Sequence, residues 1–178
     1  GLDRYEGAPV ERVRRATRDA FTRIVDLCLE REAKVLLIAG DVFDGEWRDV
    51  NTGLFFLSQL GRLREIDAKA FLVLGNHDCR NEIALRLPLP GHVHQFSTRT
   101  VETQLLENLG LALHGRSYPQ KGITENLVPD YPGPVRGVLN IGLLHTNVAG
   151  SVGHDNYAPC SLDELRAKGY DYWALGHV

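Results

Sequence analysis

Four residues whose side chains commonly bind metal ions each follow an apolar stretch of the chain: Asp41, Asn76, His145 and His177. They are separated by 35, 69 and 32 residues, so only the fold can bring them together. A single histidine after a strand is more often a hydrogen-bonded structural residue than a ligand, but four such endings favour a shared site. One carboxylate, one amide oxygen and two neutral imidazoles suit a first-row divalent ion such as manganese, iron or zinc. The set contains no thiolate, which argues against structural zinc.

This set of ligands also indicates what the site could do. A carboxylate such as that of Asp41 can bridge two metal ions, because each of its oxygens can bind one of them. Two ions about 3.5–4 Å apart can hold a phosphate group and activate a water for in-line attack. The pattern therefore predicts chemistry at a phosphoester.

Three further polar residues lie beside the candidate ligands. His77 could protonate a leaving alkoxide or stabilise the charge that develops on the phosphate in the transition state. Asp78 could orient the imidazole of His77, or it could cap the turn over residues 79–81, and the two roles are compatible. Asp44, three residues after Asp41, is expected to support the ligands or to stabilise the turn. We predict His77 and Asp78 as the catalytic pair.

Apolar runs typical of buried strands precede the candidate ligands. We predict strands buried on both faces at Val35–Ala39, Ala70–Leu74 and Val138–Leu144, and a last strand at Tyr172–Leu175. A helix from about Val50 to Arg64 separates the first two strands, which gives a βαβ unit with a parallel pair. Because ligands of α/β sheets bind outside the carboxyl ends of the strands, the four candidate ligands are expected to meet there.

The other elements are predicted from periodicity and from capping residues. Apolar residues at helical spacing indicate a first helix over residues 9–28. Ser161 and Glu164 have the spacing of a capping box, for a helix that runs to about Lys168. Between residues 88 and 134 we expect three shorter strands, at Val93–Phe96, Val101–Leu106 and Leu111–Leu113.

In order and spacing, the motifs around these residues resemble those of the calcineurin-like metallophosphoesterase superfamily. The matches are to its GDxxD, GNHD/E and single-histidine motifs and to the start of its GHxH motif. They lie in Gly40-Asp41-Val42-Phe43-Asp44, Gly75-Asn76-His77-Asp78, Leu144-His145-Thr146 and Gly176-His177-Val178. Within the superfamily the chain is similar to the bacterial DNA repair exonuclease branch, of the SbcD and YhaO type, through GDVFDG and segments 154–160 and 169–177. The resemblance covers essentially the whole chain.

The resemblance implies a fold and two metal ions. The fold is an α/β metallophosphoesterase-type β-sandwich of two mixed sheets, flanked by helices and built from βαβ units. The implied metals are divalent, Mn²⁺ in the first place and Fe²⁺, Zn²⁺ or Mg²⁺ as alternatives. Asp41 would bridge both ions, Asn76, His145 and His177 would complete one site, and His77 would be the catalytic histidine.

The resemblance also bears on the limits of the chain. The other metal requires an Asp-x-His motif upstream and a second histidine after Val178, and neither is in the sequence. We therefore expect residues 1–178 to be a metallophosphoesterase (nuclease) core that is truncated at both ends. A capping domain that helps to position DNA is expected beyond residue 178.

A loop with several glycines follows the third buried strand and contains two candidate contacts for substrate. His154 could touch a substrate phosphate or simply close the loop. Tyr157 could stack on a base or pack against the core. His94, in contrast, alternates with its neighbours in a predicted strand, and we expect it to lie on the surface.

Composition excludes several other classes. The chain has 178 residues, of which 43% are hydrophobic, so it is not a disordered tail. Its formal net charge of −3 gives no sign of nucleic acid bound over the whole surface, but a nuclease can bind phosphate through its metals and a separate domain. Three widely spaced cysteines suit a reducing cytoplasm. No apolar run is long enough to span a membrane.

These observations predict a metal-dependent phosphodiesterase, namely a DNA repair exonuclease that hydrolyses DNA phosphodiester bonds by a two-metal mechanism. A phosphoprotein phosphatase or cyclic-nucleotide phosphodiesterase of the same superfamily is an alternative, because fold and motifs alone do not separate these activities. A non-catalytic scaffold on the same fold is a second alternative, against which the retained ligands argue. By resemblance the partners are DNA and an SMC-like ATPase subunit, with a homodimer as a further alternative and no membrane.

Overall fold

Two β-sheets pack face to face, and helices cover their outer surfaces. The structure is a computed structural model that describes residues 8–43, 50–80, 88–120, 122–148 and 157–177. Its helices and strands, in chain order, are α1 (Ala8–Glu30), β1 (Val35–Ile38), α2 (Val50–Arg62), β2 (Lys69–Leu72), β3 (Val93–Gln95), β4 (Glu102–Leu106), β5 (Leu111–Gly115), β6 (Leu139–His145), α3 (Leu162–Ala167) and β7 (Tyr172–Gly176). The α/β sandwich flanked by helices that the sequence predicts is confirmed.

The first sheet has the strand order β1-β2-β3 and is parallel throughout. Its β1–α2–β2 unit is the predicted βαβ unit. Alternate residues of β1 face different layers: Leu36 and Ile38 pack towards the helices, while Val35 and Leu37 pack towards the second sheet. This alternation places the sheet between two apolar layers.

Strand β1 is less buried than the sequence predicts. All four of its residues are only half-buried, whereas Ala70, Phe71 and Leu72 of β2 are at most 3% exposed. The expectation of a strand buried on both faces is therefore wrong for β1. Among the described strands it pairs with β2 alone.

The second sheet has the order β4-β5-β6-β7 and is mixed. Strands β4 and β5 form an antiparallel pair, and β5, β6 and β7 run parallel to one another. The short connection between β4 and β5 ends at Gly110, whose positive φ of 58° suits a glycine. Strand β5 extends to Gly115, two residues beyond the predicted end at Leu113.

In the part of the chain that the structure describes, three apolar cores hold the layers together. The core between the sheets includes Phe71, Val73, Phe96, Leu113 and Leu143, each no more than 3% exposed. A second core joins α1 and α2 to the outer face of the first sheet. A third joins α3 and the segment 118–131 to the outer face of the second sheet. The carboxyl ends of both parallel sets are thereby fixed relative to each other.

Helix α3 begins with the predicted capping box. The Ser161 hydroxyl accepts a hydrogen bond from the Glu164 amide, and the Glu164 carboxylate accepts one from the Ser161 amide at 2.8 Å. The helix contacts the neighbouring strand, because the indole of Trp173 donates to the carbonyl of Leu165 at 3.1 Å. In this way α3 supports β7, which leads to His177. Every helix in the described part of the chain is too short or too polar to cross a membrane.

Candidate metal centre

The four predicted ligands converge where β1, β2, β6 and β7 end. His145 is the last residue of β6, and His177 directly follows β7. Asp41 and Asn76 lie in the loops after β1 and β2. One ligand atom from each of Asp41, His145 and His177 lies within 4.8 Å of the other two, and Asn76 Oδ1 lies 3.0 Å from His145 Nε2. The fold therefore brings together residues that are up to 136 positions apart.

The imidazole of His145 is the centre of this arrangement and is 1% exposed. Three glycines surround it, and each directly precedes another candidate ligand: Gly40, Gly75 and Gly176. A β-carbon at any of these glycines would lie 2.5–2.8 Å from an atom of the ring. This close approach explains why the same dipeptide pattern, a glycine followed by a ligand, occurs three times along the chain.

The hydrogen bonding of His145 leaves one of its nitrogens facing acceptors. Its Nδ1 donates to the carbonyl of Ala39 at 2.7 Å, which leaves Nε2 with a lone pair in the neutral ring. This Nε2 lies 3.0 Å from Asn76 Oδ1 and 3.4 Å from Asp41 Oδ2. An imidazole nitrogen, an amide oxygen and a carboxylate oxygen this close together are the ligand types that first-row divalent ions take. The residues therefore fit a metal.

Asp41 is held with one oxygen towards the histidine. Its backbone has a positive φ of 52°, and its Oδ1 accepts a hydrogen bond from the His77 amide at 3.0 Å. Burial raises the pKa of Asp41, but the hydrogen bond and charge of His145 and the amide of His77 outweigh it, so the net pKa is lowered. The carboxylate is thus ionised at neutral pH, as a metal ligand must be.

Asp78 and His77 differ sharply in exposure. Asp78 is fully buried, and its carboxylate accepts hydrogen bonds from the amides of Phe43 at 2.8 Å and Gly75 at 3.0 Å. Burial raises its pKa, the amides of Gly75 and Phe43 partly offset this, and the charge of Asp41 raises it further, so that the net pKa is raised. His77 is only half-buried between its buried neighbours. Its catalytic role, and any action of Asp78 on it, stay predictions.

The remaining residues that the sequence analysis discussed are Tyr157, Asp44, His154 and His94. The Tyr157 ring lies 5.7 Å from the ring of His177, centroid to centroid, and is half-buried beside the centre; its contact with substrate stays a prediction. Asp44 and His154 lie outside the described residues. The expectation that His94 lies on the surface is confirmed only in part, because 34% of its side chain is exposed. Its ring packs edge-on against Phe96 at 5.0 Å, and its Nε2 lies 3.0 Å from a Glu102 oxygen.

Two residues beside the centre were missed by the sequence interpretation. The fully buried ring of Tyr118 lies edge-on to His145 at 5.3 Å, and its hydroxyl has no hydrogen-bond partner in the described part of the chain. The Ser117 hydroxyl accepts from the Leu74 amide and donates to the Phe96 carbonyl. Both residues follow the end of β5, and no local sequence pattern indicates that this segment contacts His145.

Comparison with known families agrees with this geometry. The calcineurin-like phosphoesterase family matches residues 14–178, and the chain belongs to this family. Its members are hydrolases that act on phosphoester bonds and use divalent metal ions. The superfamily predicted from the four motifs is therefore confirmed.

Individual relatives support the predicted branch. The uncharacterized metallophosphoesterase YhaO of Bacillus subtilis is 32% identical over 170 residues, which cover 94% of this chain and 42% of YhaO. The DNA double-strand break repair protein Mre11 of Saccharolobus solfataricus is 25% identical over 173 residues, 90% of this chain and 42% of that protein. Mre11 of Methanopyrus kandleri is 24% identical over 181 residues, 92% of this chain and 39% of that protein. The chain thus spans about two fifths of the length of these relatives.

Proposed function

We propose that the protein is a metal-dependent phosphodiesterase that acts on DNA, a repair exonuclease. The observation that carries the metal part is the approach of one ligand atom from each of Asp41, His145 and His177 to within 4.8 Å of the others. The DNA part is supported by similarity to two proteins named for DNA double-strand break repair.

In this proposal two divalent ions, preferably Mn²⁺, bind at the carboxyl ends of the strands. Asn76, His145 and His177 would hold one ion, and Asp41 would contribute to both. Such ions supply a nucleophile at neutral pH by acidifying a bound water, and they stabilise negative charge on the phosphate. The three glycines around His145 keep the ligand loops close enough to act on one group.

The protein's own groups then have separate tasks. His77 is half-buried and directly follows the candidate ligand Asn76, and we assign it the protonation of the leaving oxygen or the stabilisation of the charged phosphate. The Tyr157 ring lies 5.7 Å from the ring of His177, and we assign it the stacking on a base of the substrate. Asp41, ionised and held by the His77 amide, keeps its second oxygen directed towards His145.

The substrate class can be tested with the full-length protein. We expect Mn²⁺-dependent release of nucleotides from linear duplex DNA and cleavage of bis(p-nitrophenyl) phosphate, with slower hydrolysis of p-nitrophenyl phosphate. Retention of DNA should weaken as salt rises. Rapid hydrolysis of the monoester with intact DNA would overturn the nuclease assignment. Full-length protein that binds no metal after loading with Mn²⁺ would instead favour a scaffold.

The proposed partners and location follow from the same branch. We infer that the full-length protein works with an SMC-like ATPase subunit in the cytoplasm. The first part rests on the branch that the sequence motifs resemble, and three cysteines that form no disulfide suit the second. Co-purification of an endogenously tagged protein, followed by mass spectrometry, would test the ATPase. Recovery of the tagged protein without any ATPase of this class would contradict it.

A further inference from the structure

The two loops that carry Asp41 and Asn76 exchange hydrogen bonds through their carboxylates. The first loop comprises residues 39–43 after β1, and the second comprises residues 73–78 after β2. Asp41 of the first loop accepts from the His77 amide of the second loop at 3.0 Å. Asp78 of the second loop accepts from the Phe43 amide of the first loop at 2.8 Å. Each loop therefore provides a carboxylate for the other.

Asp78 also binds within its own loop. Its Oδ2 accepts from the Gly75 amide at 3.0 Å, while its Oδ1 accepts from Phe43. Gly75 directly precedes Asn76, and Phe43 lies two residues after Asp41. One buried carboxylate therefore fixes the backbone beside both candidate ligands.

The burial of the Asp78 carboxylate carries an energetic cost. Asp78 is 0% exposed, and burying a charge is costly unless hydrogen bonds compensate for it. It also lies near a second carboxylate, Asp41, whose charge acts on it. An apolar residue would avoid both costs, but it would leave the Phe43 and Gly75 amides without this acceptor.

The backbone of Asp41 adopts a conformation that the neighbouring loop must stabilise. Asp41 has a positive φ of 52°, a conformation that residues other than glycine adopt at some cost and that the surroundings must hold. With Oδ1 of Asp41 engaged by the His77 amide, its Oδ2 faces His145 Nε2 at 3.4 Å. The orientation of this ligand therefore depends on the spacing of the two loops.

We propose that Asp78 is a positioning residue that sets the metal affinity of the centre by fixing the first loop against the second. This role differs from the orientation of the His77 imidazole, and it rests on the proposed metal centre. In Asp78→Asn the side-chain NH₂ would face a backbone N–H, so one of the two hydrogen bonds is lost. The ligands then approach the metal with a less defined spacing.

The test compares two carboxylate-to-amide changes in the full-length protein. Asp171 accepts from the Asn140 amide at 2.7 Å, but it lies at the opposite end of the second sheet. Asp78→Asn should weaken Mn²⁺ binding, measured by titration calorimetry, by about 10–100-fold, as loss of a group that supports ligands does. Asp171→Asn should leave the affinity unchanged. At saturating Mn²⁺ the pH profile of kcat should be the same in Asp78→Asn and in the wild type.

An Mn²⁺ affinity that does not change in Asp78→Asn would contradict the proposal. Wild-type Mn²⁺ affinity in Asp78→Asn, together with a shifted pH profile of kcat, would overturn the positioning role and assign Asp78 to His77. Wild-type protein that bound no Mn²⁺ would overturn the proposed function itself, so the two failures are distinguishable.

A second measurement covers the case in which Asp78→Asn does not fold. Amide hydrogen exchange of Phe43 and Gly75, followed by NMR in the metal-free wild type and in Asp78→Glu, reports on the hydrogen bonds directly. We expect both amides to be protected in the wild type and to exchange faster in Asp78→Glu, whose longer side chain shifts both oxygens. Rapid exchange of both amides in the wild type would contradict the proposal.

Discussion

Two buried histidines lie on neighbouring strands of the second sheet, but they differ in the hydrogen-bonding groups that face their ring nitrogens. His114 on β5 is 0% exposed and His145 on β6 is 1% exposed. His114 Nε2 donates to Asn140 Oδ1 at 3.0 Å, and its Nδ1 lies 2.8 Å from the Thr103 hydroxyl, which can donate to it. The ring also stacks on Tyr170 at 4.5 Å. Neutral partners therefore satisfy both nitrogens of His114.

Only one ring nitrogen of His145, Nδ1, has a hydrogen-bond partner that suits it. Its Nδ1 donates to a backbone carbonyl, whereas its Nε2 faces an amide oxygen and a carboxylate. The position in the sheet explains the difference, because His114 is surrounded by side chains within the sheet, while His145 ends its strand and meets the ligand loops. Burial alone thus does not separate a structural histidine from a ligand. What separates them is whether the second nitrogen has a donor or only acceptors around it.

The largest expected effect lies in catalysis. In the full-length protein His77→Ala should lower kcat on DNA by about 10²–10⁴-fold, the usual contribution of a general acid, while Mn²⁺ affinity is kept. His114→Gln is the matched control, because it changes a histidine that is satisfied away from the centre, and its kcat should stay near the wild-type value. Full activity of His77→Ala would show that the catalytic histidine has been assigned wrongly.

A smaller effect is expected from filling the space around His145. In Gly176→Ala the new β-carbon would overlap the carbonyl oxygen of Ala39 and lie 2.8 Å from His145 Nδ1. Because the backbone cannot easily move away, we expect a loss of about 1–3 kcal/mol in the free energy of unfolding, measured with urea. In α2, a β-carbon at Gly61 meets nothing within 4 Å, so Gly61→Ala should instead stabilise by up to about 1 kcal/mol. Equal effects of the two changes would contradict the packing described for His145.

The smallest effect concerns the pH dependence of stability at His114. Burial lowers the pKa of His114 below its ordinary value of 6.5, and the hydrogen bond to Asn140 only partly offsets this. The unfolded chain therefore binds a proton more readily, so His114 costs no stability above about pH 6.5 and destabilises the fold progressively as the pH falls below it. The loss amounts to about 1.4 kcal/mol for each unit by which the pKa is lowered.

The measurement is urea unfolding between pH 8 and pH 5 for the wild type and His114→Gln. The free energy of unfolding of the wild type should fall more steeply below pH 6.5 than that of the variant. Parallel curves for the two proteins would mean that His114 does not contribute to the pH dependence.

Sequence and structure agree best where a pattern is local. Apolar runs predict the strands to within about two residues, and the spacing of Ser161 and Glu164 predicts the capping box of α3. The candidate ligands were predicted because each follows a strand, and the parallel pairing of those strands brings them together. These features depend on residues that are close in sequence or on a general rule for parallel sheets.

The remaining features depend on contacts between distant segments. The bond of Asp78 to the Phe43 amide spans 35 residues and that of His145 to Ala39 spans 106, so no local pattern indicates them. The apolar residues around His114 and His145 do not distinguish the two, and His145 was predicted as a ligand only because it follows a strand and lies in a recognised motif. The half-burial of β1 depends on which strands pair with it, and the contact of Tyr118 with His145 depends on the packing between loops.

The central claim is that the acceptors of Asp41, Asn76, His145 and His177 converge in order to hold a divalent cation. Anomalous diffraction from crystals of the full-length protein loaded with Mn²⁺ tests it most directly. The account predicts a peak bounded by Asn76, His145 and His177 and shared with Asp41, and no peak beside His114. Saturating Mn²⁺ that gave no peak among these four residues, or a peak only elsewhere in the molecule, would contradict it.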